Sequence, residues 1–120
     1  MTLKETATVT ESVASHPVIS VEQLRGAAAQ AVAVLKVLAN QDRLLLLCQL
    51  SQGELCVSEL EAQLGIAQPT LSQQLAVLRS EALVSTRREG KNIYYRIADA
   101  SVLDIVAVLH RLYCPEGATT

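Results

Sequence analysis

A chain of 120 residues, half of them hydrophobic, is long enough for one domain with a substantial core and too apolar to be disordered over most of its length. Leu, Val and Ala dominate that half, with three Tyr and neither Phe nor Trp, which favours closely packed helices over a β-sandwich. The formal charge of −2 gives a nucleic-acid partner no support as a total, so any such surface has to be local.

The richest apolar stretch is interrupted by Lys36, Asn40, Asp42 and Arg43, which argues against a membrane span of roughly 20 residues. The opening MTLKETATVTESVASHP lacks the apolar centre of a secretory signal. A cytoplasmic, reducing setting is therefore expected, where three cysteines do not form a structural disulfide framework.

Residues 1–19, rich in Thr, Ser and Glu and without a helical period, read as a flexible tail that includes His16, expected to be solvent-exposed. From Ser20 a helix is signalled. Gln23 stands three positions on, as in a capping box, and Leu24, Ala27, Ala28, Ala31, Leu35 and Leu38 form one stripe. Asp42 is the expected cap of a second helix through Leu44, Leu45, Leu47, Cys48 and Leu50, apolar on several faces and hence central. A short third helix runs from about Val57, with Ser58 near its start, Leu60 and Leu64 inside and Gly65 as its stop.

Gln68 to Ala82 reads as the fourth helix, tolerating Pro69 in its first turn and turning Leu71, Leu75 and Leu78 inward. The period then changes to two: LVSTRRE and NIYYRI flank Glu89, Gly90 and Lys91, a β-hairpin in which Gly90 can take positive φ. One of Tyr94 and Tyr95 is expected inside and the other on the outer face. Asp99 or Ser101 starts a last helix with Val102, Ile105, Val106, Leu109, Leu112 and Tyr113 at helical spacing, ending at Cys114 and Pro115.

The predicted fold is mainly α with a small hairpin: about five helices in a domain over residues 20–115, followed by a short tail, 116–120. The first and last helices either fold their stripes onto the core or join two copies as a homodimer.

A short helix, a Gly-containing turn and a polar-faced helix make a helix-turn-helix, whose second helix can enter the major groove of double-stranded DNA. Gln73 and Gln74 can each pair with adenine. Thr70 and Ser72, with Gln68 at the helix start, can reach phosphate or base edges, and Arg79 makes either an ion pair or a phosphate contact. From Arg79 to Arg96 five basic residues face two acidic ones. Arg87, Arg88 and Lys91 lie at or beside the hairpin tip, where they can reach backbone or minor groove. The helix pair and the hairpin together are a winged helix-turn-helix. No nucleophile-base spacing, phosphate loop or metal triad suggests an enzyme, and no cofactor is expected.

Over about Gln23 to Cys114 the chain resembles the ArsR/SmtB family of winged-helix repressors, through LKVLANQDRLLLLCQL, VSELEAQLGIAQPTLSQQLAVLRSEALV and TRREGKNIYYRI. The resemblance implies dimerisation through the first and last helices, operator binding, and release on sensing a metal or an oxidant. Two family metal patterns are incomplete. Where arsenic and cadmium sensors place two cysteines around a valine, this chain has Cys56, Val57 and Ser58. On the last helix Asp104 is present, but Val106 stands where zinc sensors carry His and no second His follows His110. Ala67 replaces a frequent Ser that caps the recognition helix, so a slightly weaker helix start is expected.

Cys48 and Cys114, with LYCPEG at the end, resemble the subgroup of BigR, SqrR and YgaV, and HlyU-type regulators. This implies that persulfides, reactive sulfur species or oxidants bridge the two thiols as a disulfide or polysulfide and release the DNA. The alternative for Cys48 is a buried thiol chosen for size. Cys56 reads as a spectator or an accessory thiol, and His110 as a surface or interface imidazole. A metal-responsive repressor and a winged helix used only for protein association remain as alternative functions.

Overall fold

The computed structural model describes residues 18–115; His16, residues 1–17 of the expected tail 1–19, and the expected tail 116–120 lie outside them. The chain divides into two units, 1–33 and 34–120. The first holds most of helix α1 (Val21–Leu38). The predicted capping box starts it: the Ser20 amide donates to Gln23 Oε1 at 2.9 Å, and the Gln23 amide donates to Ser20 Oγ at 3.0 Å.

The second unit continues with α2 (Gln41–Leu50), β1 (Leu55–Cys56), α3 (Val57–Leu64), α4 (Thr70–Ser80), β2 (Val84–Glu89), β3 (Asn92–Ile97) and α5 (Ala100–Tyr113). Its centre is α2, which packs against α3, α4, α5 and β3. Leu46, Leu47, Leu60, Leu71, Leu78 and Val102 are fully buried, so each of these helices is anchored through one apolar stripe.

The α2 cap differs from expectation. Asn40, not Asp42, takes the extended N-cap conformation (φ −152°, ψ 127°), and its side chain accepts from the Arg43 amide at 3.0 Å. Asp42 falls instead in the first turn, where its charge suits the positive end of the helix. Gly65 ends α3 as predicted, at φ 69°, and Asp99 caps α5 by accepting from the Ser101 amide at 2.9 Å.

Helix α4 is shorter than the sequence suggests. Ala82 has φ 62°; its amide donates to the Arg79 carbonyl and the Leu83 amide to the Leu78 carbonyl, both at 3.0 Å. These two bonds form a Schellman motif in which Ala holds the left-handed position usually given to Gly, and buried Leu83 leads straight into β2.

The predicted hairpin forms with a tighter turn than the expected loop of Glu89, Gly90 and Lys91: Glu89 belongs to β2 and stands opposite Asn92, leaving a two-residue turn of Gly90 and Lys91. Gly90 at φ 64° in the first turn position matches the twist of the strands. It belongs to a three-stranded antiparallel sheet of order β1, β3, β2, because Leu55 and Cys56 pair with Tyr95 and Tyr94. A two-residue strand is too short to show a period. Helices α3 and α4 followed by this hairpin make a winged helix-turn-helix, with five helices among the described residues.

Candidate nucleic-acid interface and thiol pair

Leu71, Leu75 and Leu78 fix the azimuth of α4, leaving Ser72, Gln73, Ala76 and Arg79 exposed. The N-cap position, Pro69, has no side-chain cap bond. Gln68 substitutes: its Oε1 accepts from the Ser72 amide at 3.2 Å and from the Ser72 hydroxyl at 2.5 Å. Gln68 thus supplies the capping that Ala67 cannot, and Ser72 commits its hydroxyl proton to Gln68.

The two glutamines differ. Gln73 is exposed, with no side-chain hydrogen bond among the described residues. Gln74 is half-buried, and its Oε1 accepts from Arg43 NH1 at 2.9 Å. Thr70 is half-buried, whereas Arg79 is exposed beside a depression lined by Val57, Ser72 and Tyr95. Arg79 has no ion pair among the described residues.

On the wing, strand alternation turns Arg87 and Arg88 to opposite faces. Arg87 shares its face with Tyr94 and lies over the ring, 4.7 Å from its centroid. It grips Glu54 with two bonds of 2.8 Å and reaches Glu89 at 3.0 Å. The hydrogen bond from Arg87 holds the Glu54 carboxyl below its ordinary range, and Glu54 followed by Glu89 raises the Arg87 guanidinium. Arg88 and Lys91 are exposed and unpaired among the described residues. Tyr95 packs on the core, so the predicted split of the two tyrosines is observed.

The structure brings Cys48 and Cys114 together. Cys48 is half-buried on α2 and Cys114 is exposed at the end of α5; both are free thiols lining one surface depression of about 330 Å³ with Leu44, Leu109, His110 and Tyr113. Burial raises the Cys48 thiol above its ordinary value, and a thiolate at Cys114 raises it further. Cys48 also borders a second depression, again with His110 and with Leu103 and Val106. His110 is therefore half-buried beside a thiol.

Cys56 sits apart, buried in β1 at the start of α3. Its sulfur is 3.2 Å from Ser58 Oγ, and its amide donates to Glu59 Oε1 at 2.9 Å. Among the described residues no three His, Cys, Asp or Glu gather into a metal-holding group.

Sequence reasoning missed two residues. Arg43 registered only as a charge breaking an apolar run, and Glu54, just ahead of the incomplete metal pattern at Cys56, Val57 and Ser58, was given no role. A charged side chain on a helix otherwise apolar on several faces was the one signal available for Arg43.

The sequence profile of the arsR family of bacterial regulatory proteins matches residues 40–86. A biofilm growth-associated repressor of Agrobacterium fabrum is 49% identical over 87 residues, 72% of this chain and 74% of that protein. The transcriptional activator HlyU of Vibrio cholerae is 41% identical over 96 residues, 80% of this chain and 89% of that one. Reduced HlyU from V. cholerae matches the fold with a TM-score of 0.76 at 41% identity, over 79% of this chain and all of that chain. The repressor BigR from Xylella fastidiosa gives 0.75 at 43% identity, over 82% and 100%. Among the described residues no helix is long and apolar enough to cross a membrane. With relatives this similar over most of their length, and a winged helix-turn-helix built as theirs are, the chain belongs to the arsR family of bacterial regulatory proteins.

Proposed function

We propose that the protein is a homodimeric transcriptional repressor that binds operator DNA through α4 and the wing and leaves it when sulfur bridges Cys48 to Cys114. The observation that carries the thiol part is the depression the two cysteines share. The DNA part is supported by the exposed polar face of α4, by Arg88 and Lys91 on the wing, and by relatives named as a repressor and a transcriptional activator. The fold suits either sign of control; operator occupancy alone is what it supplies. Dimerisation is supported by apolar side chains left exposed on α1 (Val21, Leu24, Leu35) and on α5 (Leu103, Leu112, Tyr113).

The chemistry follows from exposure. Cys114, exposed, is the first nucleophile: its thiolate attacks the outer sulfur of a persulfide RSSH, giving Cys114–S–SH and releasing RS⁻. Cys48, deprotonated in turn, attacks the sulfur bound to Cys114. A Cys48–Cys114 disulfide forms and HS⁻ leaves. A further persulfide intervening before this step adds sulfur and gives a longer bridge. Because α2 packs on both α4 and α5, tying Cys48 to the end of α5 bears on the helix that carries the recognition face.

The test is operator binding before and after an organic persulfide, on duplexes selected by the reduced protein. The parent is expected to be released, with intact mass reporting either the loss of two hydrogens or the gain of sulfur. Cys48→Ser and Cys114→Ser are expected to stay bound. Release of either variant as readily as the parent would overturn the thiol mechanism. Stoichiometric binding of zinc, cadmium or arsenite with release from DNA would replace it by a metal-responsive one.

A further inference from the structure

We propose that Arg43 is the positioning residue of the recognition helix, and that Gln74 serves as its handle while Gln73 does the base reading. The inference rests on the DNA-binding part of the proposed function and is independent of the thiols.

Arg43 stands in the first turn of α2, part-buried, at the meeting of three helices. Its Nε donates to the Val37 carbonyl at 2.6 Å and its NH2 to the Lys36 carbonyl at 3.4 Å. These are carbonyls at the end of α1, where helical partners run out and the macrodipole is negative. The guanidinium therefore caps α1 with charge-assisted bonds. Its remaining nitrogen, NH1, donates to Gln74 Oε1 at 2.9 Å, across to the middle of α4.

The planar fork makes this arrangement stiff. With two nitrogens fixed on backbone carbonyls the third has little freedom, so the position of Gln74 is set relative to the end of α1. Leu71, Leu75 and Leu78 set which face of α4 lies on the core, but apolar contact is non-directional and limits the fine rotation about the helix axis less sharply than a hydrogen bond does. The Arg43 bond supplies the directional restraint on that rotation, and rotation decides which side chains point outward.

The same bond changes how the glutamines are assigned. A bidentate adenine contact needs both the amide donor and the carbonyl acceptor of one glutamine. Gln74 is half-buried and its acceptor oxygen is already held by Arg43, which fixes the amide's orientation, whereas Gln73 is exposed with both groups free among the described residues. No carboxylate neutralises Arg43 among the described residues, so its charge is spent on acceptors in two helices.

The experiment is selection from a randomised duplex pool, followed by affinity for the selected motif and for a scrambled duplex across a salt series. Arg43→Met and Gln74→Met are each expected to lower the motif-to-scrambled ratio about tenfold, the scale of one base pair's discrimination. Their double variant should lose no more than either alone. The salt slope should be unchanged, since no phosphate contact is removed. Gln74→Glu keeps an acceptor for Arg43 and loses the amide donor, so it is expected to select the parental motif, with weaker overall affinity from its added charge. Gln73→Ala should lose preference at one motif position.

Unchanged ratios in both Met variants overturn the clamp while leaving DNA binding intact. A new base preference in Gln74→Glu does the same, by showing that Gln74 reads DNA directly. If Arg43→Met fails to fold, the two Gln74 variants still decide. A parent that enriches no motif and binds no duplex overturns the DNA-binding reading itself, and the clamp with it.

Discussion

The recognition half of the domain and its thiol face are built on opposite terms. Helix α4 carries polar residues outside and three buried leucines beneath, and two of its polar side chains are held within the protein, Ser72 by Gln68 and Gln74 by Arg43, while Gln73 and Arg79 face outward unpaired among the described residues. The thiol face has an apolar surround of Leu44, Leu109 and Tyr113, and its two sulfurs have no bond to each other. A surface meant to match a fixed partner gains from preorganisation, because restraint applied in advance is not lost on binding. A pair of thiols meant to change state gains from being near and unbonded.

The largest effect should come from breaking the first half at its root. Leu71 and Leu78 are wholly buried, so Leu71→Ala is expected to cost about 2–5 kcal/mol in urea unfolding. Cys48→Ala, half-buried at the rim of a depression, should cost well under that. Equal losses would mean that the thiol face is core, and that Cys48 is there for size.

A smaller change of opposite sign tests the joint between α4 and the wing. Ala82 holds φ 62°, where a side chain is disfavoured by roughly 1 kcal/mol or a little more. Ala82→Gly relieves that strain while gaining freedom in the unfolded chain, and should stabilise by up to about 1 kcal/mol. A lower urea midpoint in Ala82→Gly would show that the Ala methyl packs usefully.

The thiol face gives a pH prediction. A thiol whose folded value lies above its unfolded value favours the folded state below the unfolded value, and that benefit disappears as pH rises through the folded value. For Cys48 the shift is upward, from burial first and Cys114 second. Between neutral and alkaline pH the parent should therefore lose stability more steeply than Cys48→Ala. Iodoacetamide should modify Cys114 before Cys48, and Cys114→Ser should quicken the modification of Cys48 at alkaline pH. Modification of Cys48 first would reverse the proposed order of attack.

How much of this was legible depended on distance along the chain. Local features were readable: the Ser20–Gln23 box, Gly65 as a stop, Gly90 in the turn, and the leucine period of α4. Asn40 and Asp42 are both good caps two positions apart, and the choice was made by backbone conformation that composition does not encode. The short β1 strand was invisible because two residues have no period. Arg43 meets Gln74 across 31 positions and Arg87 meets Glu54 across 33, and no local rule names such partners. The pairing of Cys48 with Cys114 came from family resemblance, since no local rule joins residues so far apart in the chain; in the structure both line one depression.

The wing supplies the smallest effect and the finest version of the comparison, since Arg87 and Arg88 are neighbours with different commitments. Arg87 is held by Glu54, Glu89 and the Tyr94 ring, while Arg88 and Lys91 are free among the described residues. A phosphate competes with two carboxylates for Arg87 and with water alone for Arg88. Arg88→Ala and Lys91→Ala should each flatten the salt dependence of DNA binding by about 0.9 in log–log slope, one phosphate contact, and Arg87→Ala by less. Glu54→Gln loosens Arg87 and should steepen the slope toward one further contact. The carboxyl of Glu54 lies below its ordinary value, so its share of wing stability is present above the unfolded value and lost as pH falls through the folded one. At neutral pH the pair stays intact. If Arg87→Ala flattens the slope as much as Arg88→Ala, the Glu54 bond yields to DNA at no measurable cost, and the wing is as unrestrained toward its partner as the thiols are toward theirs.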